Sequence, residues 1–252
     1  HLDCHEIADE IERNLGFLAT TQANVPARHR SLQAAFEHSW ALLDDDERRA
    51  FAHMALFRGG FDRAAALTVT QCRFPIFVAL CDKSLLRRDP SGRYALHELL
   101  RQYAEIKLQA EPQAFAEAQA RHGQHYVQFL AGREDAQNDA RQHEAQREIA
   151  TEMDNIRAAW GWAIARHQPD ALEPALESLR VFFEHAGWYM EAVRLFEAAA
   201  ACTTAGTPLY GKLLVRQAWF YHRFDRFEQA RALIAESLAI FRTAQPPLPA
   251  EE

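Results

Sequence analysis

His97 stands where a histidine can act on an anion. It joins a short strand-like run, Arg93–Leu96, to an apolar-periodic run that reads as a helix to about Gln109. The first turn of a helix leaves backbone N–H groups free and carries the positive end of the helix dipole. A ring N–H placed there adds a charge-assisted donor worth about 1.5–3 kcal/mol to a bound anion. The competing reading is that the ring caps the helix or bonds a backbone carbonyl. Arg87, Arg88 and Arg93 lie on the two strands of the same hairpin and are candidate anion contacts.

Other chemistry finds little support in the residues. There is no GxxxxGK[ST] loop, so the chain cannot cradle a triphosphate alone, and neither GxSxG nor HExxH occurs. His1 and His5 lie four apart and His122 and His125 three apart, but no Cys, Asp or Glu set completes a metal site. These histidines are expected at the surface or half-buried. The run Asp44–Glu47 is expected to start a helix, where acids suit the dipole. Trp160, Trp162, Phe182, Phe183, Trp188 and Tyr189 are expected in a helical core rather than in a base-stacking platform. With no nucleophile–base pair, the chain is expected to be non-catalytic.

The elements that position His97 follow from spacing. Leu2, Ile7, Ile11, Leu15 and Leu18 predict a first amphipathic helix, and the polar stretch Ala19–Arg30 a loop. Ser31 is an N-cap candidate for a helix holding Leu32, Phe36, Trp40 and Leu43. A helix after Asp44–Asp46 carries Phe51, Met54, Ala55 and Phe57 on one face, and Gly59-Gly60 breaks it. Short helices are expected over Phe61–Val69 and Phe74–Leu80. Ser84–Arg88, the turn Asp89-Pro90-Ser91-Gly92 and Arg93–Leu96 make a β-hairpin. Helices followed by such a hairpin form a winged-helix-like domain of roughly residues 31–110.

Past Pro112 the pattern is wholly helical, over Phe115–Ala131 (Tyr126, Phe129 and Leu130 inward) and Ile149–Ala165. Residues 132–147 are a loop or an exposed helix. Two helix pairs follow, 172–186 with 189–201 and 209–222 with 226–242, joined at Gly187 and near Asp225. Ala192 matches Ala230, Phe196 matches Ile234 and Ala199 matches Ser237, each 38 residues apart. That is close to the tetratricopeptide period with a longer loop, and such pairs bury their apolar faces by stacking. The fold class is therefore mainly α, a winged-helix domain with a short β-hairpin followed by an α-helical tetratricopeptide-like solenoid.

Composition bounds the partners. The formal net charge is −7. Residues 1–110 hold 14 Lys/Arg against 15 Asp/Glu, and residues 111–252 hold 14 against 20. Neither half is basic, which argues against a large nucleic-acid footprint. The four cysteines are scattered without a CxxC pair, as free thiols in a reducing cytoplasm would be. No run of 18 apolar residues exists to span a membrane. The start at His1 inside an amphipathic pattern and the Pro-rich end suggest a piece of a longer protein.

The order RHRSLQAAFEHSWALLDDDERRAFAHMALFRGGF, then LCDKSLLRRDPSGRYALHELLRQYAEIKL, resembles the region after the nucleotide-binding core of STAND-class signalling ATPases, bacterial relatives of the NB-ARC ATPases. EMDNIRAAWGWAI is similar to the opening of their helical sensor region. The resemblance implies a winged helix that latches an upstream nucleotide-binding domain. A Met-His-Asp motif there gives its histidine to the β-phosphate of ADP; the matching positions are Leu96, His97 and Glu98. It implies ADP or ATP with Mg in the full-length parent, none in this chain. It also implies a signal protein, peptide or small ligand at the repeats, homo-oligomerisation on activation, and DNA contact only through a separate output domain. The expected division is 1–25, the end of a preceding helical domain; 26–111, the winged-helix domain; 112–168, linking helices; 169–245, tetratricopeptide-like repeats; 246–252, a disordered tail. The alternative is a DNA-binding winged-helix transcription factor with a helical-repeat dimerisation or ligand-binding domain.

Overall fold

The computed structural model describes residues 36–244. The expectations for residues 2–18, the loop before Ser31, His1, His5, Cys4 and the tail lie outside the described residues. The chain forms two compact units that divide between His125 and Tyr126.

In the first unit, residues 36–41 are helical, and α1 spans Asp45–Met54. Its start is set by a capping box. The Asp44 carboxylate accepts from the Glu47 N–H at 2.8 Å, and the Glu47 carboxylate accepts from the Asp44 N–H at 2.9 Å. Lys83 Nζ donates to Glu47 at 2.6 Å, so the acidic run is a helix-start device that also ties down a neighbouring helix end. Helix α2 runs Arg63–Thr70, capped by Asp62, and α3 runs Phe74–Asp82.

The spacing predicts a helix beginning at Phe61, but α2 begins at Arg63 and Phe61 lies outside it. It bridges to Tyr94, its N–H donating to the Tyr94 carbonyl at 2.8 Å and its own carbonyl accepting from the Tyr94 N–H at 2.8 Å. Gly60 permits the approach. It sits at φ +90, where a Cβ would lie 3.1 Å from the Tyr94 carbonyl oxygen. Phe57 stacks on Phe61 with centroids 4.3 Å apart, so a local aromatic pair outweighs the helical pattern there.

Strands β1 (Arg87–Arg88) and β2 (Tyr94–Ala95) pair antiparallel, Arg87 opposite Ala95 and Arg88 opposite Tyr94. They are shorter than the spacing suggests, because Ser84 takes φ 58 and Leu85 and Leu86 turn inward to be buried. Helix α4 (Glu98–Gln109) follows and packs on α1, as do α2 and α3. His53 of α1 is buried, its Nδ1 3.4 Å from the Thr70 carbonyl and 3.5 Å from Arg121 Nη2. Helix α5 (Pro112–Ala131) starts at Pro112 itself and carries the division between the units.

The second unit holds α6 (Gln142–Ala165), a 3-10 segment Pro169–Ala175, α7 (Leu176–Ala186), α8 (Tyr189–Ala201), α9 (Pro208–Arg223) and α10 (Phe227–Ala244). Ile149, Met153, Ile156 and Trp160 form the buried face of α6, and Trp160 Nε1 donates to the Leu195 carbonyl at 3.0 Å. Phe182 and Phe183 are core residues too, whereas Trp188 stays exposed at the α7–α8 turn.

The 38-residue offset is visible in the backbone as well. Gly187 (φ 72) turns α7 into α8, and Asp225 (φ 58) turns α9 into α10. Among the described residues no single helix is long and apolar enough to cross a membrane.

Candidate functional site

The hairpin and the start of α4 bring the sequence candidates into one short stretch. Asp89 closes the turn. Its N–H donates to the Arg93 carbonyl at 2.9 Å, and its carboxylate accepts from Arg93 N–H at 3.0 Å and from Ser91 Oγ at 2.5 Å. The hydrogen bond from Ser91 comes first among the causes that hold the Asp89 carboxyl below the usual range. Gly92, at φ +90, completes the turn. Arg87 and Arg88 are exposed on β1, and the Arg88 guanidinium lies 5.9 Å from the Tyr94 ring centroid. Arg93 is half-buried and directed toward Gly60, unlike the exposed Arg87 and Arg88.

His97 is the N-cap of α4. Its backbone is extended (φ −61, ψ 139), and Nδ1 accepts from the Leu99 N–H at 3.3 Å. The capping role weighed against the anion role is thus occupied by one ring nitrogen. In a neutral ring whose Nδ1 accepts, the proton is on Nε2. His97 is exposed, so that donor is open to an incoming group. Leu96 beside it is half-buried.

Glu98 points elsewhere. It accepts from Arg101 Nε at 2.8 Å and Nη2 at 2.6 Å, and from Gln102 at 2.9 Å. Arg101 Nη1 also reaches Glu105 at 2.6 Å, and Glu105 accepts from Arg58 Nη2 at 3.0 Å. Arg58 Nη1 donates to the Ala55 carbonyl at 2.5 Å, at the end of α1, where cations suit the dipole. The row of charges therefore alternates, Arg58, Glu105, Arg101, Glu98. Burial pushes the Glu98 carboxyl up, but hydrogen bonds from Arg101 and Gln102 outweigh it and hold the carboxyl below its usual value. Burial pushes Arg58 down, with Arg101 adding to the effect. Sequence reasoning passed over Arg58, Arg101 and Glu105. The spacing of Glu98, Arg101 and Glu105 along one helix face was the available signal.

Helix α3 precedes the hairpin, where a DNA-reading winged helix carries its recognition helix. Its residues, Phe74 to Asp82, include no Lys or Arg, and Phe74 and Val78 are exposed. Lys83 at its end is held by Glu47. His122 is buried and packs edge-on against Phe57, with centroids 5.4 Å apart. Among the described residues no three His, Cys, Asp or Glu side chains come together as a metal site.

The chain resembles named proteins over most of its length. A protein from Mycobacterium bovis and two from Mycobacterium tuberculosis are each 34% identical to it over 193 residues, covering 72% of this chain and 21% of the relative. All three are provisionally named HTH-type transcriptional regulators. The chain spans about a fifth of the length of these relatives. No family model and no solved structure matches it.

Proposed function

We propose that this chain is a controlling portion of a longer transcriptional regulator. The names of the relatives support that role. In this reading the first unit is a winged helix used as a latch within the polypeptide, and the tetratricopeptide-like pairs of the second unit receive a signal protein, peptide or small ligand. One observation carries the preference for a latch over a DNA reader. Helix α3 offers no Lys or Arg, and its one charged residue is Asp82, where base-reading and phosphate-binding side chains are needed.

The finer reading follows the resemblance to STAND-class ATPases. ADP or ATP with Mg would sit on a core outside these residues, in a cytoplasmic protein that assembles with its own kind when active. The outward Nε2–H of His97 would then meet a phosphate oxygen at the start of α4. In the full-length protein, His97→Ala should weaken ADP binding by about 1.5–3 kcal/mol, roughly 10- to 150-fold. Isothermal titration measures it. Unchanged ADP affinity rejects this role.

A second reading has the hairpin itself touching DNA, and the relatives' shared name favours it. Arg87 and Arg88 are exposed side by side on β1. Anisotropy titrations with labelled duplex DNA decide between the two. The second reading expects binding that falls steeply from about 50 to 200 mM salt and is weakened by Arg87→Ala with Arg88→Ala. The first expects no binding at low salt.

A further inference from the structure

The first turn of α4 holds a conflict of charge. A phosphate at His97 would lie against the open end of that turn. Glu98, the next residue, brings a carboxylate into the same turn. The helix dipole attracts it there, and it would repel any other anion that arrives.

Arg101 settles the conflict from one turn further on. Its backbone N–H donates to the His97 carbonyl at 2.9 Å and closes the turn. Its guanidinium takes both oxygens of Glu98, Nε donating to one at 2.8 Å and Nη2 to the other at 2.6 Å. Gln102 holds the same carboxylate at 2.9 Å but brings no charge. The Arg101 side chain is 14% exposed against 43% for Glu98, so the guanidinium is the fixed member of the pair. Glu105 fixes it at 2.6 Å, with the Ala55 carbonyl at 3.5 Å.

The far end of the row lies in the bend after α1. Arg58 holds Glu105 and donates to the Ala55 and Phe57 carbonyls at 2.5 and 3.3 Å. Three residues on, Phe61 pairs with Tyr94 of β2, which lies three residues before His97. One bend thus braces both the strand that enters His97 and the helix that leaves it.

We propose that Arg101 is the positioning residue of the His97 site: it draws the Glu98 carboxylate away from the start of α4 and cancels its charge, so that a phosphate group can take that place. The proposal rests on the reading of His97 as a phosphate contact and adds what keeps a competing carboxylate off it.

The test is ADP affinity by isothermal titration in the full-length protein. Arg101→Met should weaken ADP about tenfold, because the released carboxylate then repels the phosphate. Adding Glu98→Gln to that variant should bring the affinity back to within about threefold of the unsubstituted protein. A merely structural Arg101 gives the opposite pattern, since the second substitution removes one more interaction and cannot repair the turn. A double variant as weak as Arg101→Met, or weaker, overturns the proposal, and so does Arg101→Met with unchanged affinity. If Arg101→Met loses helix content by circular dichroism, Arg101→Gln, which keeps a donor at Glu98 without the charge, takes its place in the same comparison. His97→Ala separates the two readings. Unchanged affinity in His97→Ala rejects the phosphate contact and this proposal with it, whereas a weakened His97→Ala beside an unchanged Arg101→Met rejects the role of Arg101 alone.

Discussion

Helices α8 and α10 occupy the same place in successive pairs, yet their neighbours give them different fates. Phe196 on α8 is fully buried between Trp160 and Phe220, while Ile234, its counterpart on α10, is 44% exposed. The small positions behave alike in both. Ala192 and Ala230 are buried, as are Ala199 and Ser237. Small residues set how closely two helices of one pair approach, a matter internal to the pair. Large residues report whether something lies on the pair from outside.

Four substitutions sharpen or break that contrast, each read as a urea midpoint at unchanged slope. Phe196→Ala should be the most damaging, at about 3–5 kcal/mol, because it leaves a cavity between two aromatic rings. Gly211→Leu should cost about 1–3 kcal/mol. A Cβ at Gly211 already lies 3.1 Å from Phe241, so a longer side chain forces α9 and α10 apart. Ser237→Ala should cost about 1 kcal/mol, the worth of the buried bond from its hydroxyl to the Gly211 carbonyl at 2.9 Å. Ile234→Ala should cost less than about 0.5 kcal/mol. If it costs as much as Phe196→Ala, α10 is covered in solution and the contrast collapses.

Local rules made part of the molecule legible. The acidic start of α1, the DPSG turn, the N-cap position of His97 and the extent of α8 are all written in neighbouring residues. What depends on distant partners was not. Phe61 fits a helical pattern, but its place is set by Tyr94, 33 positions on, through backbone bonds that periodicity does not encode. The row from Arg58 to Glu98 joins the bend after α1 to α4, so only its three members on α4 have a spacing to find. Of the site candidates, His97, Arg87 and Arg88 lie on the surface of one short stretch. Glu98 is turned aside by Arg101 and Gln102, which helical spacing announces, whereas Arg93 is directed toward Gly60, 33 positions back, which it does not. The open face of α10 carries the same pattern as the closed face of α8, since exposure belongs to the neighbour and not to the helix.

The buried ring of His53 makes folding of the first unit a proton-coupled reaction. Burial first, and then the Arg121 guanidinium beside it, push the imidazole from 6.5 down to about 4. Between those two values the unfolded chain holds a proton that the folded chain refuses. Stability from this residue is therefore complete above about pH 6.5, declines as the medium acidifies, and levels off below about pH 4. Denaturant midpoints taken at neutral and mildly acidic pH should fall in that order. His53→Gln should flatten the slope between them, because an amide has no proton to exchange with the solvent.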